Sequence, residues 1–169
     1  MTYTSAQANK LLKKLNDEHA ALLDKENRSK DFRAAMGEDV ESVRPVYDYA
    51  NTQKKLAELE QRIRKVKHAI NVFNATHVIP DFGMTIDEML VYIPQLTQRK
   101  NKLADMKARL PKQRVEEQYG RQSNIIDYSY ANYDLTAVEA DYEKVSDELS
   151  RAQLALDAVN QRDTFELAE

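Results

Sequence analysis

The sequence predicts an all-α fold: an elongated bundle of about four helices joined as antiparallel coiled-coil hairpins, with one short strand or hairpin near 123–131. Three observations carry this reading. Charged residues make up 31% of the chain against three glycines and four prolines, the composition of long helices and not of a turn-rich β fold. Apart from Pro94, the glycines and prolines fall in groups (Gly37 with Pro45, Pro80 with Gly83, Pro111 with Gly120) that divide the chain into helical segments. Within those segments apolar residues recur at alternating steps of three and four, the spacing of one helical face. A chain of 169 residues is large enough for one core and is read as a single helical domain spanning 1–169.

The first helix, placed at 5–34, carries Ala8, Leu12, Leu15, His19 and Leu22 on one stripe, and His19 there is read as a satisfied interior histidine. The second, at 46–76, has the most regular pattern: Tyr49, Thr52, Leu56, Leu59, Ile63, Val66, Ile70 and Phe73 follow one another without a break, as the seam of a coiled coil does. Such a helix is roughly 45 Å long. Burying each large apolar side chain contributes about 1.5–3 kcal/mol, so the stripe needs a partner surface in this chain or in another copy. Ile63 sits at its centre, where an aspartate is expected to break it.

The third helix, at 86–110, opens on Thr85 and Glu88, a reciprocal capping pair. The connection from Pro80 to Gly83 is short enough to make the second and third helices an antiparallel hairpin. Met89, Ile93, Leu96, Leu103 and Leu110 keep the heptad spacing, although Lys100 and Lys107 take seam positions and Pro94 removes one ladder hydrogen bond. The fourth helix, at 135–162, starts after Asp134 or Thr136, with Thr136 and Glu139 as a further capping box, and runs along Val138, Tyr142, Val145, Leu149, Ala152, Leu156 and Val159. Between the third and fourth helices, in a stretch holding Tyr119, Tyr128, Tyr130 and Tyr133, the residues Ile126, Tyr128 and Tyr130 alternate with Asp127 and Ser129 as in a short strand.

The polar residues narrow the function classes. A net charge of -3 gives the whole molecule no polycation character. The absence of cysteine excludes disulfides, thiolate metal sites and a cysteine nucleophile. No Glu-x-x-His pair, phosphate loop, nucleophile elbow or zinc signature occurs, so no catalytic, cofactor-binding or metal residue is nominated and the chain is expected not to be an enzyme. The N-terminus has neither the charged nor the apolar region of a secretory signal, and no apolar run reaches the roughly 18 residues of a membrane span, so the expected location is the cytoplasm.

Charge is nonetheless uneven. Arg62, Arg64, Lys65 and Lys67, then Arg99, Lys100, Lys102, Lys107, Arg109, Lys112 and Arg114, make the second and third helices basic. Glu139, Asp141, Glu143, Asp147 and Glu148 make the start of the fourth acidic. Either the basic hairpin is a nucleic-acid arm, resembling the helical arm with which seryl-tRNA synthetases hold tRNA, or the basic and acidic helices of this chain pair with each other; the second reading is favoured because both charges are present. Tyr128, Tyr130 and Tyr133 either form a partner surface or pin their loop to the helices. At the end of the second helix, Asn71, Asn74, Thr76 and His77 form a polar cluster at the hairpin tip, whose side chains either bind a ligand or satisfy the free backbone groups of the helix end.

The order of these features resembles a family of small bacterial helical proteins labelled septicolysin-like. The matching residues are Ile70, Asn71, Asn74, Ala75 and Thr76, then Gly83, Met84, Thr85 and Ile86, the polar Tyr-containing stretch, and finally Val159 and Asn160 followed by Thr164, Phe165, Glu166 and Leu167. The resemblance covers most of the chain. The label implies a membrane-active toxin, for which the residues supply no membrane-length apolar segment and no long alternating hairpin. The function expected from the residues is a non-enzymatic scaffold that self-associates through its seams. The expected partner is a second copy of the chain, with another protein or a nucleic acid as alternatives and no membrane.

Overall fold

The computed structural model describes residues 1–115 and 126–167. They are mostly helical, as the composition and periodicity predict. The elements are β1 (Thr2–Thr4), α1 (Ser5–Ser29), α2 (Val40–Val43), α3 (Tyr49–Thr76), β2 (Val78–Ile79), β3 (Met84–Thr85), α4 (Ile86–Lys107), β4 (Lys112–Arg114), β5 (Tyr128–Tyr130), α5 (Leu135–Arg162) and β6 (Thr164–Glu166). The chain divides into two compact units, one of Met1–His77 with Ala158–Glu169 and one of Val78–Asp157.

In the first unit α1 and α3 pack antiparallel. Glu26, near the end of α1, accepts hydrogen bonds from Tyr47 (2.6 Å) and from Gln53 (2.7 Å) near the start of α3. His19 Nε2 lies 3.3 Å from Glu60 Oε1, and at the other end Ala8, Leu15, Val66, Ile70 and Leu167 form a buried cluster. His19 is thus partnered but only half-buried, at the edge of the packed face and not in the interior as predicted. The strands β1 and β6 pair antiparallel, Tyr3 opposite Phe165, and close this end with Phe165 stacked on Phe73 at 4.6 Å. The α1 N-terminus is satisfied by a capping box in which Thr4 and Gln7 exchange hydrogen bonds.

In the second unit α4 and α5 also run antiparallel. Tyr92 donates to Glu148 at 2.5 Å, Lys100 lies over the Tyr142 ring, and Lys107 meets Glu139 at 2.8 Å, so rising numbers on α4 meet falling numbers on α5. Ile86, Met89 and Leu96 of α4 and Val138, Val145, Leu149, Ala152 and Leu156 of α5 are buried. The turn between β2 and β3 is tight: the Ile79 carbonyl accepts from Phe82 and Gly83, and Gly83 has φ 62°, a left-handed conformation that glycine takes without strain.

Several boundaries differ from the predicted ones. The first helix ends at Ser29, not 34, and the connection to α3 contains the short helix α2, capped by Asp39. Beyond the Glu26 contacts to Tyr47 and Gln53 the residues from 30 to 42 are all exposed, so no packing holds a further helical turn in place. The second predicted helix starts at Tyr49, not 46, because Asp48 accepts the Asn51 N–H and caps it there; Tyr49, predicted to open the seam, is 66% exposed. The third ends at Lys107, not 110, and its predicted last seam residue Leu110 is 60% exposed, since the residue before Pro111 disfavours the helical conformation. The fourth keeps its bounds, but Asp134 is its cap, accepting from the Thr136 N–H at 2.8 Å, and Glu139 turns to Lys107 instead of closing a box with Thr136. Inside its own unit the helix that covers α3 is α1, and the one that covers α4 is α5. Pro94 lies within α4 without ending it, on an exposed side shared with Leu90, where water can reach the carbonyl it leaves free.

Candidate functional site

The basic residues of α4 are ordered by α5. Lys107 forms its ion pair with Glu139, and its ammonium lies 5.2 Å from the centre of the Tyr142 ring. Lys100, one helical repeat earlier, lies 5.8 Å from the same ring. Seam positions that the sequence left occupied by lysine are therefore filled by alkyl stems whose charges end on an acid and an aromatic face. Arg99 and Lys102 instead line a polar groove of about 330 Å³ with Asp141, Lys144 and Glu148. Arg109 is exposed just beyond the helix.

The pairing of Lys107 with Glu139 has a defined pH signature. The hydrogen bond to Glu139 raises the Lys107 ammonium above its usual value, and the same bond lowers the Glu139 carboxyl below its own. A lowered carboxyl contributes stability above its unfolded value and loses it as pH falls through the folded one. A raised ammonium contributes below its unfolded value and loses it as pH rises through the folded one. The coupling measured by a Lys107→Met and Glu139→Gln double-mutant cycle in thermal melts is therefore expected to be flat between about pH 6 and 9 and to fade at both extremes. A coupling of zero at neutral pH would remove this pair from the structure in solution.

The ribbon of β4 and β5 gathers the other aromatic and basic side chains. Lys112 pairs with Tyr130 and Arg114 with Tyr128, so all four lie on one face, with Gln113 and Ser129 on the other. The Lys112 ammonium lies 4.1 Å from the Tyr128 ring centre and 5.5 Å from that of Tyr130. Both tyrosines are exposed, whereas Tyr133 is half-buried and donates to the Met106 carbonyl at 2.9 Å, closing the end of α4. The predicted strand near 123–131 is thus present at Tyr128–Tyr130, and Tyr133 does pin the loop. Tyr119, and the 123–125 portion of that stretch, lie outside the described residues.

The polar cluster at the end of α3 is divided. Thr76 donates its hydroxyl back to the Val72 carbonyl at 2.8 Å within the helix, and the His77 N–H bonds the Phe73 carbonyl at its end. Asn71 is exposed; the Asn74 side-chain oxygen is buried without a partner among the described residues. His77 stacks on Phe73 at 4.6 Å and its Nε2 lies 2.7 Å from Asp163 Oδ2. The Asp163 carboxyl is held below its usual range by its hydrogen bond from Arg162 and then by that of His77. Sequence reasoning missed Asp163 and Phe165 because they lie 86 and more residues from His77, with no local pattern to connect them.

Arg62 and Lys65 come together elsewhere in the first unit, exposed on one side of α3 above an opening lined by Tyr3, Leu11, Leu15, Val66 and Leu167.

Neither a family model nor a curated protein matches this chain. A solved structure from Corynebacterium diphtheriae, a functionally unknown conserved protein, is similar in fold: the identity is 15%, the match covers 98% of this chain and 100% of that one, and the TM-score is 0.60. At that identity the likeness is one of fold alone. No described helix is long and apolar enough to cross a membrane.

Proposed function

We propose that the chain is a non-enzymatic helical scaffold that self-associates through the coiled-coil seam of α1 and α3. The observation that carries this reading is the uneven cover of one continuous stripe. On α3 the residues Leu56, Val66, Ile70 and Phe73 are buried, yet Leu59 and Ile63 are only half-buried and Tyr49 stands in solvent. An unbroken heptad stripe has the geometry to meet a partner along its whole length, and α1 alone covers part of it. Beside the less covered half, the 30–48 connection adds exposed apolar side chains, with Met36 and Val46 almost wholly in solvent. A second copy brings the same stripe and the same apolar cap, so a two-fold pairing of two helix pairs into a four-helix arrangement covers both at once.

The test uses light scattering on the whole chain. Wild type is expected to exceed the monomer mass, and Val46→Glu with Tyr49→Glu, both at exposed positions, to return it to monomer with unchanged helical circular dichroism. A wild-type chain that stays monomeric at every concentration would defeat the reading.

A second reading, a nucleic-acid-binding module, is favoured by one observation: the β4–β5 face combines two cations with two exposed tyrosine rings, which suits stacked bases and phosphates. It is weakened by the pairing of Lys107 with Glu139 and by the carboxylates of Asp141 and Glu148 beside Arg99 and Lys102. Retention on single-stranded RNA near 0.15 M salt, lost on Lys112→Glu with Arg114→Glu, would promote it over the scaffold.

A further inference from the structure

The opening beneath Arg62 and Lys65 combines two features that do not depend on each other. Its walls are apolar: Leu11 and Leu15 from α1, Val66 from α3, Tyr3 from β1, and Leu167 just after β6, enclosing about 200 Å³. Its mouth is cationic, because Arg62 and Lys65 stand three residues apart on one helix and both are exposed. Among the described residues neither forms an ion pair. An apolar hollow in water is a poor place for solvent, and two cations at its rim set the sign of a ligand that would fill it.

We propose that this opening is a binding site for a short-chain anionic amphiphile, its tail along Leu11, Leu15 and Val66 and its carboxylate held between Arg62 and Lys65. The Arg62 guanidinium suits the carboxylate because its planar fork donates two parallel hydrogen bonds, and the Lys65 ammonium adds a second charge from the same side. The size sets the tail. At about 30 Å³ for each water-sized group, the hollow holds a chain of about seven carbons. Longer acyl chains leave their ends in solvent. The site requires only residues of the first unit.

The experiment titrates the whole protein with octanoate, octanol and octylammonium, following the methyl resonances of Leu11, Leu15, Val66 and Leu167. Octanoate is expected to shift these methyls and to bind about tenfold more tightly than the other two, the effect of one charge-assisted hydrogen bond. Arg62→Gln with Lys65→Gln, both on exposed side chains, is expected to remove that preference while leaving octanol binding and helical circular dichroism unchanged. Leu11→Trp, which fills the hollow, is expected to abolish the shifts from all three. Absence of octanoate shifts in wild type overturns the site, and equal affinities for the three probes overturn the headgroup assignment. Vesicles of phosphatidylglycerol form the second arm. They are expected not to retain the protein; retention that the two glutamine substitutions remove would assign the cations to a membrane surface and overturn the free-acid reading.

Discussion

Leu15→Asp is expected to unfold the unit formed by Met1–His77 with Ala158–Glu169. Leu15 is 2% exposed and stands in the cluster with Ala8, Val66, Ile70 and Leu167, where α1, α3 and the end of the chain meet. Truncation of such a leucine to alanine costs about 2–5 kcal/mol, through lost transfer energy and the void left behind. An aspartate adds the desolvation of a charge among apolar side chains, with Arg62 and Lys65 only at the exposed rim of the adjoining opening, a further cost of several kcal/mol against a typical total of about 5–15. Leu15→Ala provides the graded control, with a lowered denaturant midpoint and a preserved fold. Ile63→Ala is expected to cost less than Leu15→Ala, because Ile63 is only half-buried. If Leu15→Asp melted with wild type, the α1–α3 core would have to be rebuilt in another register.

The contrast between Leu15 and Ile63 marks what periodicity can and cannot say. Heptad spacing identified the buried face of each long helix: Ala8 and Leu15, Val66 and Ile70, Met89 and Leu96, and Val145, Leu149, Ala152, Leu156 and Val159 are all in the interior. It could not rank positions within a stripe, since depth depends on which other elements arrive there. Ile63, at the centre of its own helix, has α1 beside it, whereas Val66 and Ile70 also meet the end of the chain. Capping chemistry was legible where both partners are local, as at Thr85 and Glu88. It misled at Glu139, where a lysine more than thirty residues away offers a charge that Thr136 does not.

The site residues follow the same division. The expectation that basic and acidic segments face each other is met at Lys107 and Glu139, but the partner of each cation could not be read from composition. The opening below Arg62 and Lys65 was invisible as such: the sequence marked the two cations, while its walls come from elements as distant as Tyr3 and Leu167. The three-residue strands β1 and β6 carry too few positions to display an alternation, and α2 too few for a helical period.

Those two short strands nevertheless carry a large expected effect. Phe165 stacks on Phe73, Leu167 is 4% exposed, and the Leu167 N–H bonds the Met1 carbonyl at 3.0 Å, so the chain's last described residues seal the core that its first ones open. Phe165→Ala with Leu167→Ala removes both apolar anchors. Because the two share one cluster their costs do not simply add, and with Phe165 half-buried the expected loss is about 4–6 kcal/mol. The denaturant midpoint should fall accordingly, and the amides of Thr2–Thr4 should lose protection from hydrogen exchange, since β6 no longer holds β1 in place. Thr164→Ala is the control, an exposed side chain in the same strand that leaves the ladder intact and should change little. The kinetics discriminate further. Pairing of Thr2 with Glu166 closes nearly the whole chain, and contacts of such separation form after the local helix pair has folded. The double substitution should therefore accelerate unfolding and leave the folding rate nearly unchanged. A slowed folding phase with unaltered unfolding would place β1 and β6 in the nucleus instead, and would require the termini to meet before α1 and α3 pack.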